Sequence, residues 1–471
     1  MLRDPLFVPK HTKGRPMPEG RFWEKEYSSA RVWLAGGAVW MAIGTLAGLG
    51  SAIHLVAPDF FANIPWLEFG RIRQVHVNTV LFGFVVQMLI GCALYIMPRV
   101  LATKLFSEPL ANLAALFFNA GVVLGDIGLM AGYTQGREYA EYIFPADVLL
   151  VIALVMVAVN MVMTLVRRNE QLLYVSSWYF AGAIVWTVFM YPLGNVMWHP
   201  ATGAETGITD AIFLWFYGHN VFGLLVTPLA VGIAYYMFPR IAGAPLYSQA
   251  LSIIGFWSLL LFYTHIGAHH LIQAPIPTWL KTVSIIDSFA MMLPVATVLV
   301  NQWYTARGRF GRFLTNPSAK LMLVGTIWYA IVCIQGPLQS LAVVQRVTHF
   351  NNWVVGHAHI AVLGFTGFIA LGGMYYVLPY VTGRRVYSEK LINIQYWLIL
   401  LGLLDFFIVL TIAGLIQGQD WLNGATVYRT VPQMKPYMTL RLAGGLMIIT
   451  GAFVGVYNVL MTFRKGEPIN P

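Results

Sequence analysis

Long apolar stretches separated by short polar connections run along almost the whole chain. Each stretch has about 20 or more residues, the length that an α-helix needs to cross the hydrocarbon core of a bilayer. The pattern predicts about twelve membrane-spanning helices, near residues 31–56, 76–98, 110–132, 145–166, 175–197, 211–238, 249–273, 283–304, 320–341, 353–380, 391–415 and 439–462. Because the connections are short, we expect one compact, all-α integral membrane domain.

Polar segments flank this membrane domain at both ends. We expect residues 1–30 to form an N-terminal segment, residues 31–463 the membrane domain, and residues 464–471 a short tail. The N-terminal segment contains no apolar region of the kind found in signal peptides, so no cleaved signal peptide is predicted. No internal repeat and no nucleotide-binding loop stands out in the sequence.

Composition and charge exclude several classes of protein. Hydrophobic residues make up 58% of the chain and charged residues 10%, which is typical of a membrane protein rather than a soluble domain. The net charge of +10 does not indicate nucleic-acid binding, because the basic residues are spread over the loops between spans. Thirteen of them fall on the side of the N-terminus and seven on the other, so the positive-inside rule places both termini in the cytoplasm.

Histidine is the residue type that offers metal ligands here. The two cysteines, Cys92 and Cys333, lie inside apolar stretches and form no disulfide framework, thiolate zinc site or C-x-x-C-H haem-attachment motif. Four predicted spans carry histidines at the outer side of the bilayer: His76, His219, His269, His270, His357 and His359. Six such residues at one depth are costly in lipid, so they indicate a functional site.

Helical phase suggests how these histidines are shared between centres. His357 and His359 point about 200° apart on an α-helix, so one span can serve two metal sites. Tyr263 and His270 are seven residues apart and lie within about 20° of one helical face. Imidazole suits iron and copper as well as zinc, so ligand type alone leaves the metal open. Two axial histidines close a haem to ligands, whereas one leaves a position for small-molecule chemistry.

Several motifs together make the chain resemble subunit I of the haem–copper oxygen reductases, specifically the cbb3-type cytochrome c oxidases. The motifs are GRIRQVH at 70–76, GREYAE at 136–141, WFYGHN at 215–220, YSQALSIIGFW at 247–257, FYTHIGAHH at 262–270, GHAH at 356–359 and PYMTLRLAGG at 436–445. The resemblance covers nearly all of the predicted spans. It implies the haem–copper oxidase subunit I fold.

The resemblance also implies a role for each site residue. It makes His76 and His359 the axial ligands of a low-spin haem b, His357 the proximal ligand of a high-spin haem b, and His219, His269 and His270 the ligands of one copper ion. Tyr263 matches the active-site tyrosine that the family links covalently to the first copper histidine, here His219. Arg73, His349 and Arg441 match groups around the haem propionates, and Glu138 matches a calcium ligand.

A proton path from the cytoplasm to Tyr263 is implied as well, through Tyr235, Thr227 and Ser252. The chain departs from the family pattern at two positions. Gln335 stands where the family usually has a glutamate, and Gly255 stands where it has a histidine. These departures concern residues near the implied proton path and the haem groups.

The implied activity is a terminal respiratory oxidase that reduces dioxygen to water with electrons from cytochrome c, takes up protons and pumps them. The implied partners are membrane-anchored cytochrome c subunits and a cytochrome c donor, in the bacterial inner membrane. The nearest alternative is the large subunit of nitric oxide reductase, which has non-haem iron in place of copper. That family has a glutamate near the first ligand histidine and lacks the tyrosine, whereas this chain has Gly223 and Tyr263. A transporter or a simple haem relay does not account for three additional histidines beside a tyrosine.

Overall fold

A computed structural model describes residues 22–199 and 205–469, so most of the predicted N-terminal segment lies outside the described residues. Within these ranges the chain consists of helices, connecting turns and one isolated β-bridge between Arg384 and Pro468. The prediction of an all-α membrane fold is therefore confirmed. Apolar side chains from nearly all helices meet in one continuous core.

Helices lie at all twelve predicted positions, and we number them α1 to α12. Their bounds are Ser28–Val56, Phe69–Val100, Glu108–Ala131, Phe144–Val166, Val175–Gly194, Gly207–Ala242, Gln249–Tyr263, Thr278–Thr305, Pro317–Gln339, Asn352–Thr382, Glu389–Leu422 and Val427–Lys465. Ten of them are long and apolar enough to cross a membrane, which makes the chain a multi-pass membrane protein; α5 and α7 are not among the ten. The count of twelve spans stays a prediction.

The seventh helix is shorter than the predicted span 249–273. It ends at Tyr263, and a separate 3₁₀ segment, Ile266–Leu271, carries His269 and His270. Gly267 brings this segment so close to the Trp215 carbonyl that any β-carbon there would overlap it. Pro275 and Pro277 follow shortly, and proline cannot continue a helix. The assumed α-helical phase between Tyr263 and His270 is therefore wrong.

An internal threefold repeat, which the sequence analysis missed, joins three helix pairs at one end of the bundle. A serine caps the first helix of each pair, and its backbone N–H and C=O bond the side-chain amide of an asparagine on the next helix. The three pairs are Ser107 with Asn160, Ser248 with Asn301, and Ser388 with Asn458. Each serine follows a proline by nine residues, and each asparagine precedes a threonine by four. The signal is three short matches about 140 residues apart, too sparse to stand out.

Three of the long helices contain a π-helical segment that begins one to three residues after a candidate ligand histidine. The segments are Thr79–Val86 after His76, Val221–Val226 after His219, and Ile360–Gly367 after His359. A π-turn adds one residue to a helical turn and is frequent at functional sites. The added residue rotates the helix beyond the π-turn relative to the histidine. The residues after the π-turn therefore face a different direction from the one that a regular α-helix would give them.

Candidate metal centre

Three imidazole rings meet between α6 and the 3₁₀ segment after α7. His219, His269 and His270 each offer one ligand atom, and these atoms lie within 4.8 Å of one another. His219 Nδ1 and His270 Nε2 are 3.0 Å apart. Ligand nitrogens about 2 Å from one ion have separations of this size. Among the residues that the structure describes, this is the one such group of three or more histidine, cysteine or acidic side chains.

Neighbouring residues fix the orientation of two of these rings. His269 Nδ1–H donates to Ser288 Oγ at 2.8 Å, and the Ser288 hydroxyl itself donates to the Ser284 carbonyl at 2.6 Å. Since Nδ1 carries the proton, Nε2 of His269 is free to bind a metal. The indole of Trp215 stacks on the His270 ring with centroids 3.8 Å apart. Such outer contacts set ligand orientation and basicity.

Tyr263 lies directly against the cluster. Its ring stacks on that of His219, with centroids 4.8 Å apart and planes 17° apart. The ring also packs on Gly223, where a β-carbon would overlap it. His219 Nε2 is buried and has no hydrogen-bond partner among the described residues. Tyr263 therefore lies beside His219. The regular helix that would have put Tyr263 and His270 on one face is interrupted between them.

His76 on α2 and His359 on α10 form a second pair. Their ring centroids are 6.3 Å apart and their planes 23° apart. His76 Nδ1–H donates to the Gly44 carbonyl at 2.8 Å, and His359 Nδ1–H donates to the Val355 carbonyl at 2.7 Å. Both Nε2 atoms are therefore available. A metal about 2 Å from each nitrogen would separate the ring centroids by roughly 6 Å, as this pair does.

His357 has different surroundings from its neighbour His359, as the 200° phase difference predicted. Its Nδ1–H donates to the side-chain carbonyl of Gln335 on α9 at 3.1 Å. Its ring lies parallel to that of Trp353, with centroids 5.5 Å apart. The partner of His357 is thus the neutral amide of Gln335, at a position where the resembled family usually has a glutamate.

The residues expected near haem propionates lie in three parts of the chain: Arg73 near the start of α2, His349 just before α10, and Arg441 in α12. Arg73 donates to Glu138 Oε1 at 2.7 Å. Arg441 has a buried Nε without a partner among the described residues, and its guanidinium lies 5.7 Å from the Phe406 ring centroid. His349 has a buried Nδ1 that likewise lacks a described partner. Buried donors of this kind suit an anionic group.

Glu141, in the same loop between α3 and α4 as Glu138, was not singled out from the sequence. It is buried, and its Oε2 accepts a hydrogen bond from Asn78 Nδ2 at 2.9 Å. Burial raises the pKa of Glu141 to about 7, although the Asn78 bond lowers it; the charge of Glu138 raises it further.

The residues of the implied proton path lie on α6 and α7. Ser252 Oγ accepts from Asn301 Nδ2 at 3.0 Å and donates to the Ser248 carbonyl at 3.1 Å. Tyr235 stacks near Tyr179 with ring centroids 5.7 Å apart, and both hydroxyls are buried without a described hydrogen-bond partner. Thr227 follows the π-segment of α6 directly. The structure does not line these groups up as one hydrogen-bonded chain.

The bundle of apolar helices holds a three-imidazole cluster beside a stacked tyrosine, and a separate imidazole pair. This arrangement is that of a membrane protein built to bind metal ions. Residues 28–447 match the family model described as cytochrome c and quinol oxidase polypeptide I. The chain therefore belongs to this family of haem–copper oxidases, as a cbb3-type subunit I.

Curated relatives and a solved structure agree with this placement. The chain is 32% identical to the bacteroid cytochrome c oxidase subunit 1 homolog of Bradyrhizobium diazoefficiens, over 91% of this chain and 80% of the relative. It is 31% identical to the cbb3-type cytochrome c oxidase subunit CcoN1 of Stutzerimonas stutzeri, over 91% and 93%. A heme-copper terminal oxidase dimer solved by cryo-EM is similar in fold, with a TM-score of 0.76, 15% identity, and coverage of 94% of this chain and 84% of that chain.

Proposed function

We propose that this chain is the catalytic subunit of a terminal oxidase that reduces dioxygen to water with electrons from cytochrome c. The observation that carries the proposal is the stacking of Tyr263 on His219 within the three-histidine cluster. Such a cluster can bind a redox metal such as copper, and a phenol beside it can supply a proton and an electron. Family membership supports the terminal oxidase class, and the geometry of the cluster supports dioxygen as the substrate.

The donor sets fit two haems b and one copper ion. His76 and His359 would hold the low-spin haem, because each presents Nε2 while a backbone carbonyl holds its Nδ1–H. His357 would hold the high-spin haem through Nε2, and the three-histidine cluster would hold copper. When bound, these groups supply the electron transfer and the dioxygen chemistry, and the protein supplies orientation, distances and proton access.

The protein's own residues would prepare this site in three ways. Ser288 fixes the tautomer of His269, and Trp215 fixes the plane of His270. Gly223 leaves room for Tyr263 to lie flat against His219. Held there, the Tyr263 hydroxyl can release its proton at a fixed position, which is what a positioned acid contributes to catalysis. In the resembled family the tyrosine is linked covalently to this histidine, and the buried, unpartnered His219 Nε2 supports the same link here.

Protons for this site would come from the cytoplasmic side along α6 and α7. We assign Thr227, Tyr235 and Ser252 to this path, with Asn301 bonded to Ser252. The Gly255 position borders the Tyr179 hydroxyl and Thr297 Oγ1. Because the family's histidine is absent there, the buried Tyr179 hydroxyl is the group that would take part in the path. Proton pumping is part of the proposal through family membership.

Arg73, His349 and Arg441 would bind the haem propionates. His349 Nδ1 and Arg441 Nε are buried without a described partner and need acceptors. Arg73 bonds Glu138 and has further N–H donors to offer. Glu138 would contribute to a calcium site at the same end, because calcium prefers carboxylate oxygens. One Glu138 oxygen also accepts a hydrogen bond from Arg73.

Other subunits complete the enzyme, because the relatives are named as subunit 1 of an oxidase and this chain has no c-type haem motif. We propose membrane-anchored cytochrome c subunits as these partners. The proposed location is the bacterial inner membrane with both termini in the cytoplasm, on the basis of the loop charges.

The site geometry favours dioxygen over nitric oxide as the substrate. In the nitric oxide reductases a glutamate near the first histidine assists iron, and the corresponding position one helical turn after His219 is Gly223. Tyr263 fills the space beside Gly223, so a carboxylate side chain there would collide with the ring.

Metal analysis of the purified complex tests the proposal. We expect one copper ion bound to this chain, two non-covalent haems b of which one binds carbon monoxide, and oxygen consumption with reduced cytochrome c. A complex with non-haem iron and no copper, which consumes nitric oxide and not oxygen, would overturn it. A matched sample with His219→Ala should lose the copper and keep the low-spin haem spectrum.

A further inference from the structure

Asp405 carries a carboxyl group near the middle of α11, a membrane helix of 34 residues. Apolar residues on the same helical face are exposed on the outside of the bundle: Leu401 by 47%, Ile408 by 53% and Ile412 by 45%. They lie four residues before, three after and seven after Asp405, which is the spacing of one helical face. A carboxyl group at this depth beside lipid is costly and usually has a partner.

The Asp405 carboxyl lies in the seam between α11 and α12. Gly444 of α12 is so close that a β-carbon at that position would overlap the Asp405 carboxylate. Gly402 packs on the Gly444 backbone at the same level, and Ala443 is exposed next to it. Small residues at a membrane helix surface let another helix approach closely, so the seam offers both a polar group and room beside it.

Within residues 22–199 and 205–469, Asp405 has no partner. Its Oδ2 is buried and makes no hydrogen bond, and the ion pairs of this part of the chain do not include Asp405. Arg441 lies three residues before Gly444 on α12, but its guanidinium is placed over the Phe406 ring. The chemistry proposed above assigns no role to Asp405.

We propose that the seam around Asp405 is the docking site for a transmembrane helix of another subunit that presents a lysine or arginine at the middle of the bilayer. Opposite charges are the pairing that a membrane interior favours for an ionisable group. The inference rests on the part of the proposed function that gives this chain partner subunits. A second copy of this chain fits less well, because a twofold contact centred on the seam would place two Asp405 carboxylates together.

Site-directed photocrosslinking in the intact complex tests the site. A photoreactive phenylalanine is placed at Ile408, beside Asp405, and at Leu116, which is 63% exposed on α3, as a control position. The crosslink from position 408 should join a transmembrane segment of a different subunit that contains a lysine or arginine. Asp405→Leu should lower its yield and the retention of that subunit by roughly three- to twentyfold, the range for polar contacts between membrane helices.

Two further variants separate charge from folding. Glu389→Gln removes a carboxylate from the first turn of the same helix and should leave the crosslink unchanged. Asp405→Lys should lose the partner, and exchanging the partner's basic residue for aspartate should restore it. A crosslink to lipid alone, to a second copy of this chain, or one that Asp405→Leu leaves unchanged overturns the inference. Copper and haem contents should stay normal in every variant, and their loss in the unmodified complex would count against the proposed function instead.

Discussion

His357 Nδ1–H donates a hydrogen bond to the side-chain carbonyl of Gln335, 3.1 Å away on a different helix. A neutral amide leaves the proton on the imidazole, so His357 would act as a neutral ligand. A carboxylate at the same place would draw the proton away and make the ring a stronger electron donor. The residue at position 335 therefore sets the electronic character of the proposed proximal ligand.

Gln335→Glu should lower the reduction potential of the proposed high-spin haem by tens of millivolts, because a more basic ligand stabilises the oxidised iron. Redox titration of the purified complex measures this shift, and resonance Raman spectra should show a stronger iron–histidine bond. Gln335→Met, which removes the acceptor without adding charge, serves as the control. An unchanged potential and spectrum in Gln335→Glu would mean that the hydrogen bond does not tune the ligand.

Tyr263→Phe should abolish oxygen turnover and leave both haem spectra nearly unchanged. The phenyl ring can still stack on His219 and pack on Gly223, so the variant removes the hydroxyl and little else. Oxygen consumption measures turnover, and reduced-minus-oxidised spectra check the haems. Turnover at the wild-type rate would contradict the role assigned to Tyr263.

Ser288→Ala should weaken copper binding by about ten- to a hundredfold, the usual effect of removing a residue that orients a metal ligand. The variant leaves His269 Nδ1 without its partner at 2.8 Å. Copper retention during dialysis against a chelator measures the change. Ser258→Ala is the control, because the Ser258 hydroxyl bonds only backbone carbonyls of its own helix. Equal copper retention in both variants would show that Ser288 does not support the site.

Glu141 should make the folded protein less stable as pH rises. Its folded-state pKa is raised to about 7, above the ordinary value of 4.5, so the folded protein holds a proton that the unfolded chain releases. The stabilisation is complete below about pH 4.5 and is lost as pH rises to about 7. Glu141→Gln should therefore melt at a higher temperature than the wild type at pH 8. The corresponding gain in the free energy of unfolding is at most about 3 kcal/mol. Glu68→Gln, an exposed neighbour, should show no such gain.

Gly383→Ala should destabilise the protein by about 1 kcal/mol, because its φ of +66° disfavours a side chain while nothing nearby would contact the added methyl. The threefold repeat places Ala102, with φ +50°, at the corresponding position. Ala102→Gly should therefore raise the melting temperature slightly. A change of the same sign in both variants would show that these positions are not equivalent.

The apolar pattern and the positions of the histidines were enough to predict the class of fold and the candidate ligands. A long apolar stretch predicts a membrane helix almost independently of tertiary contacts, because a chain inside the bilayer must satisfy its own backbone hydrogen bonds. Histidines in apolar spans are rare enough to be noticed one by one, so His76, His219, His269, His270, His357 and His359 were all found. The opposite orientation of His357 and His359 also followed from helical geometry alone.

The surroundings of those ligands depend on how the helices pack against one another. Ser288 and Gln335 meet their histidines across separate helices, and nothing in a single helix indicates which side chains will face each other. α7 ends at Tyr263 because the close packing of Gly267 against Trp215 and the prolines that follow do not allow the helix to continue. Pairings such as Ser248 with Asn301 connect residues 53 apart in sequence. They form only once the bundle brings those backbones together, and for that reason the sequence alone did not reveal them.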